Sequence, residues 1–502
     1  MKKLLLGLVI ILLLSYSAFA ANECGTSSPY TCSTWAELKS CVEGSHEACG
    51  NWVDGSTINI DANITAASRI DITDPMIIDA GGRCNDRDET TDGCGEVAQP
   101  GGTWTYTVTG PGSGDATDDW GLIIAADSAD DVIEIAGFHF IGTWTSGRNT
   151  HSDYGAIGIG SANKTPKWRI HDNKWSGTGL KMGLHKITQG GLIYKNFFHI
   201  TAPGGTIYII RVKDIEGSQV STSTSGGYTT RLFYTETPDW GGSKGTFFED
   251  NSFSQDDWSD SGGTIDMVWG AKIIIRHNYF MNGWVSSHGC TNGTVMGSIS
   301  WEIYSNTFDK TVFMAQAVSV RSGTGLIYDN FFSTAASGWS EDAFIKFADE
   351  SQRISGTPSF GSPTEENAWD GTGTSGDGYA GYPYYGQPAW PQASGYTYNI
   401  ALNTSDVQPL TLWPYYIADN TGETRINDNS NYMSLGVEYY NCVTGCDSSD
   451  YPLGYVAYTY PHPDRSADAA PPNPIQSFDG VSVSELKVTE NLTAWNRTDG
   501  LR

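Results

Sequence analysis

The stretch Ile275-Arg276-His277-Asn278-Tyr279-Phe280, "IRHNYF", decides the reading of this chain because its outline recurs. "IHDNKW" at 170–175, "IYKNFF" at 193–198, "FEDNSF" at 248–253, "IYSNTF" at 303–308 and "IYDNFF" at 327–332 share it. Each has an apolar residue, two variable ones, asparagine, a variable residue and an aromatic. The asparagines Asn173, Asn196, Asn251, Asn278, Asn306 and Asn330 are spaced 23, 55, 27, 28 and 24 residues apart, and the 55 reads as two periods. "IAGFHF" at 135–140 is a degenerate earlier copy, with Gly137 in the asparagine place. A repeat of about 20–30 residues built from strands is a solenoid. The leucine-rich pattern is missing and a propeller blade would be longer, so a coiled parallel β-helix is expected. In such a coil equivalent residues stack about 4.8 Å apart. The asparagine is then scaffold: it takes the bend after the strand, tolerates left-handed φ/ψ and bonds its stacked neighbours.

Working outward, a second strand is expected before most copies: 121–127, 156–161, 181–186, 231–236, 264–269, 294–300 and 317–322, with 343–348 continuing the series. Alternation turns Ile265, Met267, Val318 and Val320 inward and leaves Asp266, Ser319 and Arg321 outward. His185 falls outward by the same count, so His185, Asp266 and Arg321 are expected in one row. "TCSTWAELKSCVEG" is the best helix, opened by a Thr34/Glu37 capping box. Residues of about 355–395 form an aromatic, Gly-rich insertion, and strands resume in "GVEYYN" and "GYVAYTY" between 397 and 460. The expected organisation is a signal peptide at 1–20, an N-terminal cap segment at 21–56 and the β-helix at 57–463. A Pro-containing linker and polar tail fill 464–502.

The first twenty residues pair two lysines with an apolar run and a small-x-small cleavage site, Ala18-Phe19-Ala20. Secretion is therefore expected, to the periplasm or beyond, without a lipid anchor or a membrane span. With 29 basic and 57 acidic residues the formal charge is −28, which disfavours nucleic acid and anionic membranes as partners. A salty habitat explains that charge equally well. Export permits disulfides among the nine cysteines. Cys84–Cys94 and Cys442–Cys446 are the natural close pairs, two bridges join Cys24, Cys32, Cys41 and Cys49 in an undetermined pairing, and Cys290 is left over.

The repeats, the early helix and Ile77-Ile78-Asp79-Ala80-Gly81-Gly82 resemble the pectin-lyase-like superfamily. More closely, the chain looks like a group of secreted β-helix proteins of no established activity. The ordered set "FFEDNSF", "RHNYFMNGWVSSHG", "SWEIYSNTF", "VSVRSGTGLIYDNFF" and "YTYPHP" carries that likeness over about 130–463. The resemblance implies an all-β fold, a right-handed parallel β-helix with a short N-terminal capping helix. The superfamily includes polysaccharide lyases, hydrolases, esterases, tailspikes and adhesins, so an extracellular polysaccharide is the implied partner. A polygalacturonase-like hydrolase is the weaker reading: Asp256-Asp257 and His288-Gly289 occur in its order, but Ser287 replaces a glycine and no Asn-Thr-Asp lies upstream.

A lyase of acidic glycans needs a base for the uronate C5 proton and a cation for its carboxylate. His288 is the candidate base, Arg321 the cation, and Asp266 lies one coil before His288. The plain alternative is that His288 satisfies a loop carbonyl while Arg321 pairs with Asp266. Asp256, Asp257 and Asp260 in "SQDDWSD" offer oxygen ligands for Ca²⁺, as does "NDRDETTDG" at 85–93, or else both are solvated turns. His185, Trp240, Trp258, Trp269 and Trp284 are candidate sugar contacts, the alternative being rings that pack under loops. A non-catalytic adhesin or structural fibre protein competes with the enzyme readings.

Overall fold

The computed structural model describes residues 24–43, 46–65, 68–81, 105–109, 120–125, 132–143, 155–159, 167–178, 182–184, 191–200, 210–213, 239–243, 245–255, 264–268, 271–287, 298, 300–311, 314, 316–320, 324–333, 345–347, 397–398, 408–409, 415–422, 425–427, 439–465, 477–478 and 481–482. Its strands wind into three long faces. The first is a 12-stranded sheet from Tyr30–Cys32 to Tyr439–Cys442, and the second a 10-stranded sheet from Ile64–Thr65 to Thr421–Gly422. The third runs as a 3-stranded piece followed by a 7-stranded one ending at Ile426–Asn427. All pairings within these faces are parallel, so the chain is an all-β parallel solenoid.

The repeated hexapeptide spans the corner between the first two faces. Lys272–Arg276 belongs to the first sheet and Tyr279–Met281 to the second. His277 between them has φ 56°, and Asp172, Lys195, Asp250, Ser305, Asp329 and Asp419 are left-handed at the equivalent place. The bend is thus made by the residue before each asparagine, which corrects the expectation that the asparagine takes it. The same shift corrects the degenerate copy: Gly137, φ 76°, holds the left-handed place and Phe138 stands where asparagine would.

The asparagine serves the next rung instead. The backbone N–H and Nδ2 of Asn278 both donate to Oδ1 of Asn306, at 2.9 and 3.0 Å. Nδ2 also donates to the Phe248 and Arg276 carbonyls. The link repeats from Asn173 through Asn196, Asn251, Asn278, Asn306 and Asn330 to Asn420, all buried. Asn196 bonds directly to Asn251, 55 residues on, so that interval is one rung rather than two periods. Asn330 reaches Asn420 across 90 residues in the same way. A ladder registers which strands touch and is indifferent to the length of the excursion between them. Asn278→Leu should cost roughly 1–3 kcal/mol in a denaturant titration, because carbonyls and Asn251 lose buried partners. A variant that unfolds with the parent would contradict this account of the ladder.

Inside, the aromatic of each copy stacks on the last. Phe140, Trp175, Phe198, Phe253, Phe280, Phe308 and Phe332 follow one another at 4.5–5.1 Å between ring centroids. Trp301 fits the interior because Gly325 is its register partner; a Cβ there would lie 2.2 Å from the indole. Across that gap Trp301 stacks on Tyr415 at 5.2 Å. At the N-terminal end α1 (Trp35–Val42) begins with the expected capping box and buries Trp35, Leu38, Cys41 and Val42 against the same core.

Several strand expectations shift. Ile210–Lys213 pairs with both Met182–Leu184 and Ile265–Val268, filling the third-sheet place assigned to 231–236. Residues 231–236 lie outside the described residues. For the next coil the third-sheet strand is Val285–Ser287, while Ser300, placed in 294–300, opens a strand of the first sheet. "GYVAYTY" forms no strand: residues 451–465 cross the outside of the first sheet as an irregular strap. The cysteines pair as Cys24–Cys32, Cys41–Cys49 and Cys442–Cys446. The first four sulfurs lie within 4.8 Å of one another, but bonding removes the thiolates a metal would need. Cys84, Cys94 and Cys290 lie outside the described residues.

Candidate functional site

Two polar regions stand on the outside of the solenoid. The first is a row on the third sheet. Ile265 and Met267 point into the core, as do Val285, Val318 and Val320, so the residues between them face outward. Asp266, Ser286, Ser319 and Lys346 are direct register partners on successive rungs. Asp266 and Ser286 are 0% exposed and Ser319 3%, so this row is polar yet withdrawn from water. Register sets Gly183 and Arg211 level with Asp266 on the earlier rungs. Leu184 and Val320 are level with Met267, so the residues level with Asp266 are Gly183 and Ser319, each two positions before His185 and Arg321 in the chain. His185, His288 and Arg321 lie outside the described residues, as do Asp256, Asp257, Asp260, Trp258 and Trp269. Trp284, expected as a sugar contact, is 4% exposed and packs in the central core; apolar packing accounts for its burial. Trp240 is half-buried and meets Tyr416 edge-on at 5.9 Å.

The second region is the face under the strap. Phe247, Ile274, Tyr304, Leu326 and Tyr328 point outward and form a separate apolar cluster with Tyr451, Tyr455 and Tyr458. At its centre Arg276 is 0% exposed. Nε donates to Glu249 at 2.7 Å, Nη1 to the Tyr304 hydroxyl at 2.7 Å and the Tyr458 carbonyl, and Nη2 to Glu249 and the Thr459 carbonyl. Those bonds use all five N–H groups of the guanidinium. Burial opposes its charge, but Tyr304 and Glu249 hold Arg276 protonated, above its ordinary value. Glu249 also accepts from the His462 amide and from Arg465 Nε, and Arg465 Nη2 meets both Glu249 and Asp250. Tyr460 donates to Asp250 at 2.8 Å and stacks on His277 at 3.7 Å. Strap and sheet are thereby joined through the same buried charges.

On an earlier rung His171 lies between Asp172 at 2.8 Å and Glu134 at 3.0 Å, stacked on Tyr194. Desolvation works against its charge, but the two carboxylates outweigh that and raise its pKa. The pairing favours the charged imidazolium and ties it to both carboxylates. The sequence reading missed both clusters. The repeat "IRHNYF" displays Arg276 at the place that other rungs fill with Tyr304, Glu249 and Tyr194, but not the distant strap that buries it.

No family model matches the chain, and neither a curated protein nor a solved structure matches it. Among the described residues no helix is long and apolar enough to cross a membrane.

Proposed function

We propose that this chain is an exported β-helix, right-handed and pectin-lyase-like, with α1 closing its N-terminal end. It binds or acts on an extracellular polysaccharide along the outer side of the third sheet. The reading is supported by the row Asp266, Ser286 and Ser319: a carboxylate and two hydroxyls in register, outside the apolar core and shielded from water. In a ligand-bound state that uncovers the row, Asp266 accepts from a sugar hydroxyl and the serine hydroxyls can also donate to a ring oxygen, and rungs about 4.8 Å apart let one glycan chain cross several. In the catalytic version His288 takes the C5 proton of a uronate, since its ordinary pKa of about 6.5 suits proton transfer near neutral pH. Arg321 neutralises the carboxylate in an otherwise acidic protein.

The test is a panel of polygalacturonate, alginate and neutral glucans presented to the mature protein. Binding to at least one is expected, and Asp266→Asn should weaken it about 10-fold, or roughly 1.4 kcal/mol, with little change in Tm. An ultraviolet-absorbing unsaturated product, lost in His288→Ala and Arg321→Ala, identifies a lyase. Reducing ends alone identify a hydrolase. Binding without turnover identifies a non-catalytic adhesin or structural surface protein, a reading favoured by the continuous asparagine ladder, whose polar groups serve rigidity. Binding to no member of the panel would remove the polysaccharide proposal.

A further inference from the structure

Among the buried acids of the first sheet and the corner beside it, Glu302 is set apart. Glu249, Asp250, Glu134 and Asp172 each meet an arginine or histidine directly. Glu302, 3% exposed, has a phenol and an amide. Tyr455 of the strap donates its hydroxyl to Oε2 at 2.5 Å, and the Gly241 N–H donates to Oε1 at 2.8 Å. The Tyr455 hydroxyl also lies 3.0 Å from that of Tyr328. Both protonation states can therefore be hydrogen-bonded. The ionised carboxylate accepts from Tyr455; the neutral acid donates to Tyr455, which then turns its own proton toward Tyr328.

We propose that residues 451–465 form a proton-linked strap, whose docking on the first sheet places a proton on Glu302. When the strap lifts, Glu302 returns to water and releases it. Among the described residues the titratable groups around Glu302 are Tyr304, Tyr328 and Arg276 of the sheet, Asp239 of the 239–242 turn, and Tyr455 of the strap. Burial pushes the Glu302 carboxyl up to about 7; Tyr455, the Gly241 amide and Arg276 pull the other way, while Asp239 adds to the rise. A carboxyl raised on docking favours the docked state most at low pH. That preference is lost as pH climbs from the ordinary value toward 7. His462, also on the strap, acts in the opposite sense: burial lowers its pKa, so protonation at acidic pH favours release. Burial also raises the Asp329 carboxyl, which faces Tyr451 of the strap, to about 6, so the wild-type response sums several groups and only a comparison that keeps His462 and Asp329 constant isolates Glu302.

Glu302→Gln supplies that comparison. Glutamine reproduces the neutral acid, with one acceptor for Gly241 and a donor for Tyr455. Hydrogen exchange of the strap amides, corrected for intrinsic rates, reports docking; the Tyr455 N–H bonded to Pro452 and the Arg465 N–H bonded to His462 are suitable probes. Between pH 5.5 and 8.5 the protection of Glu302→Gln relative to wild type should rise about 30-fold, the change expected for a carboxyl moving from about 7 to its ordinary value. A ratio constant within about twofold, in that linkage, would overturn the proposal. Infrared spectroscopy gives an independent check: the protonated-carboxyl band at pH 5.5, lost by pH 8.5, should be larger in wild type than in Glu302→Gln, with Asp329, raised by burial to about 6, contributing in both. Equal bands in the two proteins at pH 5.5 would also overturn it.

Discussion

Arg276→Leu should lower the unfolding free energy by roughly 3–5 kcal/mol, because removing one partner strands a buried charge. Glu249, 0% exposed, would keep only Arg465 and one amide, and the carbonyls of Tyr458 and Thr459 would lose their donors. The loss of packing adds to this, since the guanidinium lies over Phe247 and Tyr460, each at 5.3 Å from the ring centroid. The strap should be released first, visible as faster exchange in 451–465 before the ladder opens. The double variant Glu249→Met with Arg276→Met should be less harmful than Arg276→Leu alone, since an apolar pair leaves no unpaired charge between them. Denaturant titration of the three proteins checks the order. A single variant within about 0.5 kcal/mol of the parent would mean that this face is wetter than described.

Phe280→Ala should be comparably severe, at roughly 3–5 kcal/mol. The ring sits between Phe253 at 4.9 Å and Phe308 at 4.7 Å, so its removal leaves a cavity closed above and below. A solenoid relaxes poorly into such a gap, because the rung spacing is fixed by the backbone ladder on either side. Phe280→Leu should recover about half of the loss, the remainder being the stacking and the unfilled volume. Thermal unfolding of the three proteins tests this. Equal melting temperatures would show that the stack is not part of the cooperative core.

These two residues lie four positions apart in one hexapeptide, and the sequence displayed them differently. Phe280 was legible: an aromatic at a fixed offset from a recurring asparagine has a place inside a stacked coil, and period-2 alternation placed Ile265, Met267, Val318 and Val320 inward as found. Repetition alone made the parallel solenoid readable, because stacking rewards like residues at like positions. The helix cap at Thr34 and the Cys442–Cys446 loop were readable for a related reason, since both are local in the chain. Only the tertiary structure decided the rest. The step from Asn196 to Asn251, the seventh ladder member Asn420 and the strand Ile210–Lys213 depend on which strands meet in space, a relation that excursion length conceals. Arg276 is likewise buried by a strap that lies 182 residues away in the chain. Burial by a distant segment turns a solvated side chain into an anchor, and no local pattern encodes it, because the energy resides in contacts between residues that are neighbours only after folding.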